Sequence, residues 1–164
     1  MRMYNNNCNG KSRDNIISLL LLQTMFVASS RICQNRRLLD DHSSSREATK
    51  IFYKRAKTLF DCRFEKNTIT VIQSVVLMGW FTDDVEQVNN NAFFWPRVAI
   101  SLAQSLGLHR MGEHSSVPVS KRKLWQRIWW GLYVRDRYSA IAMDKPLMID
   151  IGDCNIPMLT EDDL

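Results

Sequence analysis

The run Lys121 to Met143, KRKLWQRIWWGLYVRDRYSAIAM, constrains the chain more than any other stretch. It is the longest helical pattern present and holds three of the five tryptophans. Trp125, Trp129, Leu132, Asp136, Ala140 and Met143 recur at steps of four, three, four, four and three, so they share one side of a helix. Leu124, Ile128 and Tyr133 widen that side, while Arg122, Lys123, Arg127 and Arg135 place charge elsewhere. A helix with this many large aromatics on one face must be covered, and the rest of the chain reads as its cover.

The neighbouring segments are helical as well. Ile16 to Ser30 is apolar all round, which predicts a helix buried on most faces. It is too short to cross a bilayer, and Asp14, Gln23 and Thr24 interrupt a signal-peptide pattern. Ser44-Ser45-Arg46-Glu47 has capping-box spacing, and the helix after it is expected to run to about Phe64. Ala48, Ile51, Phe52, Ala56, Leu59 and Phe60 form its apolar stripe. Thr68 to Trp80 is rich in β-branched residues, but its length and continuous apolarity favour a buried helix, capped by Asn67 or Thr68. Phe93 to Leu106 follows, with Pro96 near its start and Gly107 as a left-handed stop. Ser120 is the expected cap of the long helix, and Lys145-Pro146 its end. Met1 to Asp14 reads as a disordered lead. Thr82 to Asn91 and Met111 to Val119 read as loops, and Leu147 to Leu164 as an extended close. No βαβ alternation occurs, so the fold class is all-α.

The formal net charge is +5; five acids and no Lys or Arg lie from Asp150 onward, so the first 149 residues carry +10. Solvated helix faces account for that charge without a nucleic-acid partner. The four cysteines, Cys8, Cys33, Cys62 and Cys154, fit no zinc spacing and are too sparse for a disulfide framework. Gly107 and Gly112 have P-loop separation, but Glu113-His114 stand where Lys-Ser/Thr is needed. His109 and His114 lack a third ligand nearby. No spacing assembles a nucleophile with its base, so the expected catalytic, cofactor and metal residues are none.

Asp136 is the residue with most at stake. A carboxylate on a core-facing row must be paired, because a buried unpaired charge is too costly. Arg137 projects about 100° away around the helix, so the expected cation comes from the preceding helix end, Arg110 or His109. The competing reading is a small-molecule pocket walled by Trp125, Trp129 and Asp136. The basic turn Lys121 to Lys123 sits where cations are mildly disfavoured, which leaves an anion or partner role open.

Three blocks in order carry a family resemblance: VAISLAQSLGLHR (Val98 to Arg110), KRKLWQRIWWGLYVRDRYSAIAMDKP (Lys121 to Pro146) and IDIGDCNIPMLTEDDL (Ile149 to Leu164). RAKTLFDCRFEKNTITVIQSVVLMGW (Arg55 to Trp80) and LLLQTMFVASS (Leu20 to Ser30) fit too. Together they resemble the fungal-specific transcription factor domain, the regulatory middle region of binuclear zinc-cluster regulators, in the branch of the cutinase-gene regulators. Pro96 departs from the family run. The resemblance implies an irregular all-α regulatory domain, spanning 15–164 and partial, of a nuclear regulator of RNA polymerase II transcription. It implies partners among the other domains of a full-length regulator, co-regulators or a second copy, and no membrane. It assigns zinc and DNA binding to a separate six-cysteine cluster, and this sequence contains no Cys-x-x-Cys. The expectation is therefore a partial protein or truncated gene model with no cofactor of its own. A stand-alone effector-sensing helical domain is the alternative, and an enzyme the third reading.

Overall fold

A computed structural model describes residues 17–33, 45–81, 93–110 and 117–161. The described residues form five helices: α1 (Leu19–Ser30), α2 (Arg46–Asp61), α3 (Thr68–Met78), α4 (Phe94–Ser105) and α5 (Val119–Met143). A 3-10 turn, Ile151–Asp153, interrupts the extended chain after α5. No strand occurs among these residues, so the fold is all-α. The expected lead at 1–14 and the loop at 82–91 lie outside the described residues.

The helix ends follow local chemistry. Asn67 Oδ1 accepts from the amides of Ile69 (3.0 Å) and Thr70 (3.3 Å), so a side-chain cap starts α3. This favours helix over strand for a β-branched run. Pro96 occupies the third residue of α4 and is buried; its missing N–H would have been unpaired in the first turn anyway. At the far end of α4, Gly107 has φ 72°, and the amides of Gly107 and Leu108 reach back to Gln104 and Ala103. That is the expected left-handed stop. Helices α2 and α5 end in the same way on non-glycine residues, Arg63 and Asp144, each with φ 50°.

Some local expectations fail. The expected capping box rests on Ser44, which lies outside the described residues; the N-cap of α2 is Ser45, which makes no side-chain cap bond. Helix α2 stops at Asp61 because Arg63 turns left-handed, short of Phe64. Its buried row is Thr49, Tyr53 and Ala56, which leaves Ile51 49% exposed. Helix α1, expected to be buried on most faces, buries Leu20, Thr24, Val27 and Ser30 and leaves Leu19, Met25 and Phe26 facing solvent. Helix α5 begins at Val119 after Pro118, one residue before the expected Ser120 cap, and no side chain caps it.

Helix α1 packs on α2 and α3, α3 on α4, and α4 on α5. The core fills with Ile72, Val75 and Met78 of α3, Trp95, Ala99 and Ile100 of α4, and Trp129 and Leu132 of α5. Trp95 Nε1 donates to the Tyr53 hydroxyl at 3.0 Å, and Tyr53 stacks on Phe81 with ring centres 3.9 Å apart. Burying one such aromatic side chain stabilises the fold by roughly 3 kcal/mol. Ser30 and Thr49 share a buried hydroxyl bond of 2.8 Å that ties α1 to α2.

Candidate functional site

The expected row on α5 divides by burial. Trp129, Leu132, Asp136 and Ala140 are buried, Trp125 packs partly buried on the core, and Met143 is 38% exposed. Asp136 is therefore a buried carboxylate, and its partners come from two places. Arg137 Nη1 donates to Oδ2 at 3.0 Å. The amides of Met148 and Ile149, on the chain that returns past α5, each donate to Oδ2 at 3.0 Å. Arg137 Nη2 then donates to the Ile149 carbonyl at 2.8 Å. Asp136 and Arg137 thus hold the Met148–Ile149 backbone from both its amide and its carbonyl side. The result is a clamp that seats the Ile149 side chain, 2% exposed, in the core.

This corrects the expected pairing. Adjacent side chains diverge around a helix, which argued against Arg137. The long arginine stem curls back, its Cζ resting 4.3 Å over the Tyr133 ring, and brings the guanidinium to the carboxylate. His109 and Arg110 have other settings. The His109 carbonyl accepts from the Asn155 amide at 3.0 Å, and its ring lies 5.5 Å from that of Trp129. Arg110 is exposed beyond the Gly107 stop.

The clamp is one of several fasteners along an extended strap. Gln126 Nε2 donates to the carbonyls of Pro157 and Met158, both at 3.0 Å. Trp130 Nε1 donates to the Pro157 carbonyl at 2.7 Å. Arg97 Nη2 of α4 donates to the Pro146 carbonyl at 2.6 Å. An extended segment cannot pair its own backbone groups, so α4 and α5 supply the partners. Ile149 and Ile156 point inward and contribute the apolar part. Gln126, Trp130, Tyr133 and Arg137 recur at four, three and four, a second row beside the one read from sequence. That spacing was available in the sequence, and the polar tips on its large side chains were the signal.

Trp125 and Trp129, the expected pocket residues, line neither of the two grooves described below. Trp129 is fully buried with no exposed surface to wall a cavity. Two grooves of comparable size lie elsewhere. One of about 600 Å³ has an apolar floor that includes Leu20, Phe60, Val71 and Leu102 and a polar rim that includes Arg63, Glu65 and Lys66. Another, of about 570 Å³, runs beside Trp80 and Arg135.

Titratable groups near the site are modest in number. Burial pushes the Cys154 thiol up, so it stays protonated at neutral pH, and it donates to the Asp150 carbonyl. Glu65 is held below the usual carboxylate range, first by the Ser18 hydroxyl and then by the Asn67 amide. Among the described residues no three His, Cys, Asp or Glu side chains cluster as metal ligands. Cys33, Cys62 and Cys154 are separate free thiols and do not fit a zinc cluster. Among the same residues no helix is long and apolar enough to cross a membrane.

The sequence profile of the fungal specific transcription factor domain matches residues 3–164. The chain belongs to that family. It is 46% identical over 146 residues to the cutinase transcription factor 1 alpha of Fusarium vanettenii, covering 89% of this chain and 16% of that protein. It is 35% identical to the 1 beta protein of the same fungus, over 89% of this chain and 17% of the relative. The acetamidase regulatory protein of Aspergillus fumigatus is 32% identical over 88% of this chain and 18% of its own length. The chain thus spans about one sixth of the length of these three curated relatives, 16% to 18% of each. No solved structure matches it at a significant level. The relatives are named as transcription regulators, and the all-α architecture accords with the family resemblance read from the sequence.

Proposed function

We propose that this chain is a regulatory domain of a fungal RNA polymerase II transcription factor that works in the nucleus. It would act by packing against other domains of the full regulator, against co-regulators or against a second copy. DNA contact and zinc would belong to a cysteine cluster elsewhere in such a regulator. The observation that carries this reading is the 46% identity to a protein named as a transcription factor, running across 89% of the chain. The fold suits the role: a helical body closed by a strap offers surfaces for partners. The polar groups of its central clamp are engaged with one another rather than turned to a substrate.

The test is a reporter assay with the chain fused to an unrelated DNA-binding domain in a fungal host. The fusion is expected to shift reporter output, up or down, from that of the DNA-binding domain alone. Asp136→Ala should abolish the shift by releasing the strap. Equal output from the fusion and the bare DNA-binding domain, at equal protein levels, would overturn the reading.

An effector-sensing role is the second reading, and the 600 Å³ groove over Leu20, Phe60 and Leu102 would be its site. That volume lies in the range of small-molecule pockets. A thermal-shift screen with apolar candidates checks it: a ligand that raises Tm in the wild type and loses its effect in Leu102→Trp supports it. No stabilisation by any candidate counts against it.

A further inference from the structure

The flank of α5 away from the strap carries a different kind of surface. Val134, Tyr138 and Ile141 are 64%, 70% and 84% exposed, at steps of four and three along one side of the helix. Beside them, Trp80 is 47% exposed at the end of α3. A groove of about 570 Å³ runs between these elements, with Arg31 and Arg135 in its lining. Both guanidiniums are tethered on consecutive carbonyls: Arg135 Nη2 donates to Gly79 at 2.8 Å, and Arg31 Nη1 donates to Trp80. Those carbonyls lie just past the C-terminus of α3, where backbone charge is negative. Arg135 also sits over the Trp80 ring, with Cζ 4.5 Å from its centre. Burial first of all holds Arg135 below its usual range, and the positive charge of Arg31 adds to that. Among the described residues, no Asp or Glu lines the groove. Each guanidinium has five N–H donors, so each keeps donors to spare beyond its carbonyl tether.

We propose that this groove docks an amphipathic helix of a partner protein, one that carries carboxylates beside its apolar stripe. The apolar stripe would cover Val134, Tyr138 and Ile141, and a carboxylate would enter between Arg31 and Arg135, relieving their repulsion. Three features select this occupant. The exposed stripe runs from Val134 to Ile141 of α5, about 10 Å, and reaches past the groove to Ile141, farther than a small anion in the groove would cover. The periodic spacing suits helix-in-groove recognition, in which anchors three and four residues apart meet a complementary row. A second copy presenting the same face is disfavoured by charge. The only carboxylate within α5 is Asp136, which is buried and clamped, so a twofold contact would set arginine against arginine. The inference rests on the regulatory reading for its biology. Its binding test is independent of reporter output, so the two can fail separately.

The test uses the full 164-residue chain and a fluorescently labelled synthetic helix with leucines at successive steps of four and three, flanked by glutamates. A twin peptide replaces every glutamate with lysine. Anisotropy at low salt should show the acidic peptide binding at least about tenfold more tightly than its basic twin. Arg31→Glu and Ile141→Ser change exposed side chains, so thermal melts should stay near wild type. Each should weaken the acidic peptide about tenfold, and Arg31→Glu should bind the basic peptide better than the wild type does. Equal binding of the two peptides would overturn the proposal, as would indifference to both substitutions. So would dodecanoate binding that displaces the peptide and ignores Ile141→Ser, which would make this a small-anion site. Dimerisation in sedimentation that Ile141→Ser abolishes would assign the face to a second copy, and equally overturn it.

Discussion

The two flanks of α5 differ in what their side chains end in. On the strap side, Gln126, Trp130 and Arg137 combine an apolar body with a donor tip, and each tip holds a carbonyl of the returning chain. On the other side, Val134 and Ile141 have no polar tip, and no part of the described chain covers them. An extended backbone is held where donors and acceptors meet it at fixed steps, because every unpaired group would otherwise remain costly. A helix, which pairs its own backbone, needs only an apolar row and a few charges. One face holds extended chain, and the other presents the exposed row that the proposed partner helix would cover.

The sharpest way to break that contrast is to remove the central fastener. Asp136→Ala leaves the Met148 and Ile149 amides without their acceptor and Arg137 without its carboxylate. It should cost about 3 kcal/mol in urea unfolding. Gln126→Ala, at the other end of the strap, removes two bonds to backbone carbonyls and should cost about 1.5 kcal/mol by the same measurement. Arg63→Gly acts away from both flanks: relieving a left-handed residue at the end of α2 should raise stability by about 0.7 kcal/mol. On the open flank, Ile141→Ser should change stability by less than about 0.5 kcal/mol. A loss comparable to that of Asp136→Ala would mean that face is not open.

Acidity gives a further handle. The Glu65 carboxyl is depressed in the folded chain by the Ser18 hydroxyl and the Asn67 amide. Its contribution is fully present above the unfolded carboxylate pKa and is lost as pH falls through the lower folded value. Stability should therefore decline below about pH 4.5, and Glu65→Gln should show a shallower decline in chemical denaturation.

Much of the frame was legible in the residues. The five helices, the Asn67 cap, the Gly107 stop and the core-facing row of α5 all follow from periodicity and local chemistry. Buried Asp136 followed too, because that row points inward. Its partner did not. Helical angles place Arg137 off to one side, and only the reach of its stem brings it back. The strap was legible merely as extended chain, since its register depends on side chains that Gln126 to Arg137 present from 12 to 32 positions away. The exposed side of α1 was misjudged for a related reason. Apolarity all round says that a helix could be covered everywhere, while Leu19, Met25 and Phe26 depend on whether a neighbour arrives.

The central claim is that Asp136 and Arg137 pin the strap to α5, and amide hydrogen exchange reads it directly. The amides of Met148 and Ile149 should exchange far more slowly than those of free extended chain. In Asp136→Asn they should speed up more than the α3 amides of Ile72 and Val75. Rapid exchange at Met148 and Ile149 in the wild type, or slow exchange untouched by Asp136→Asn, would contradict the clamp.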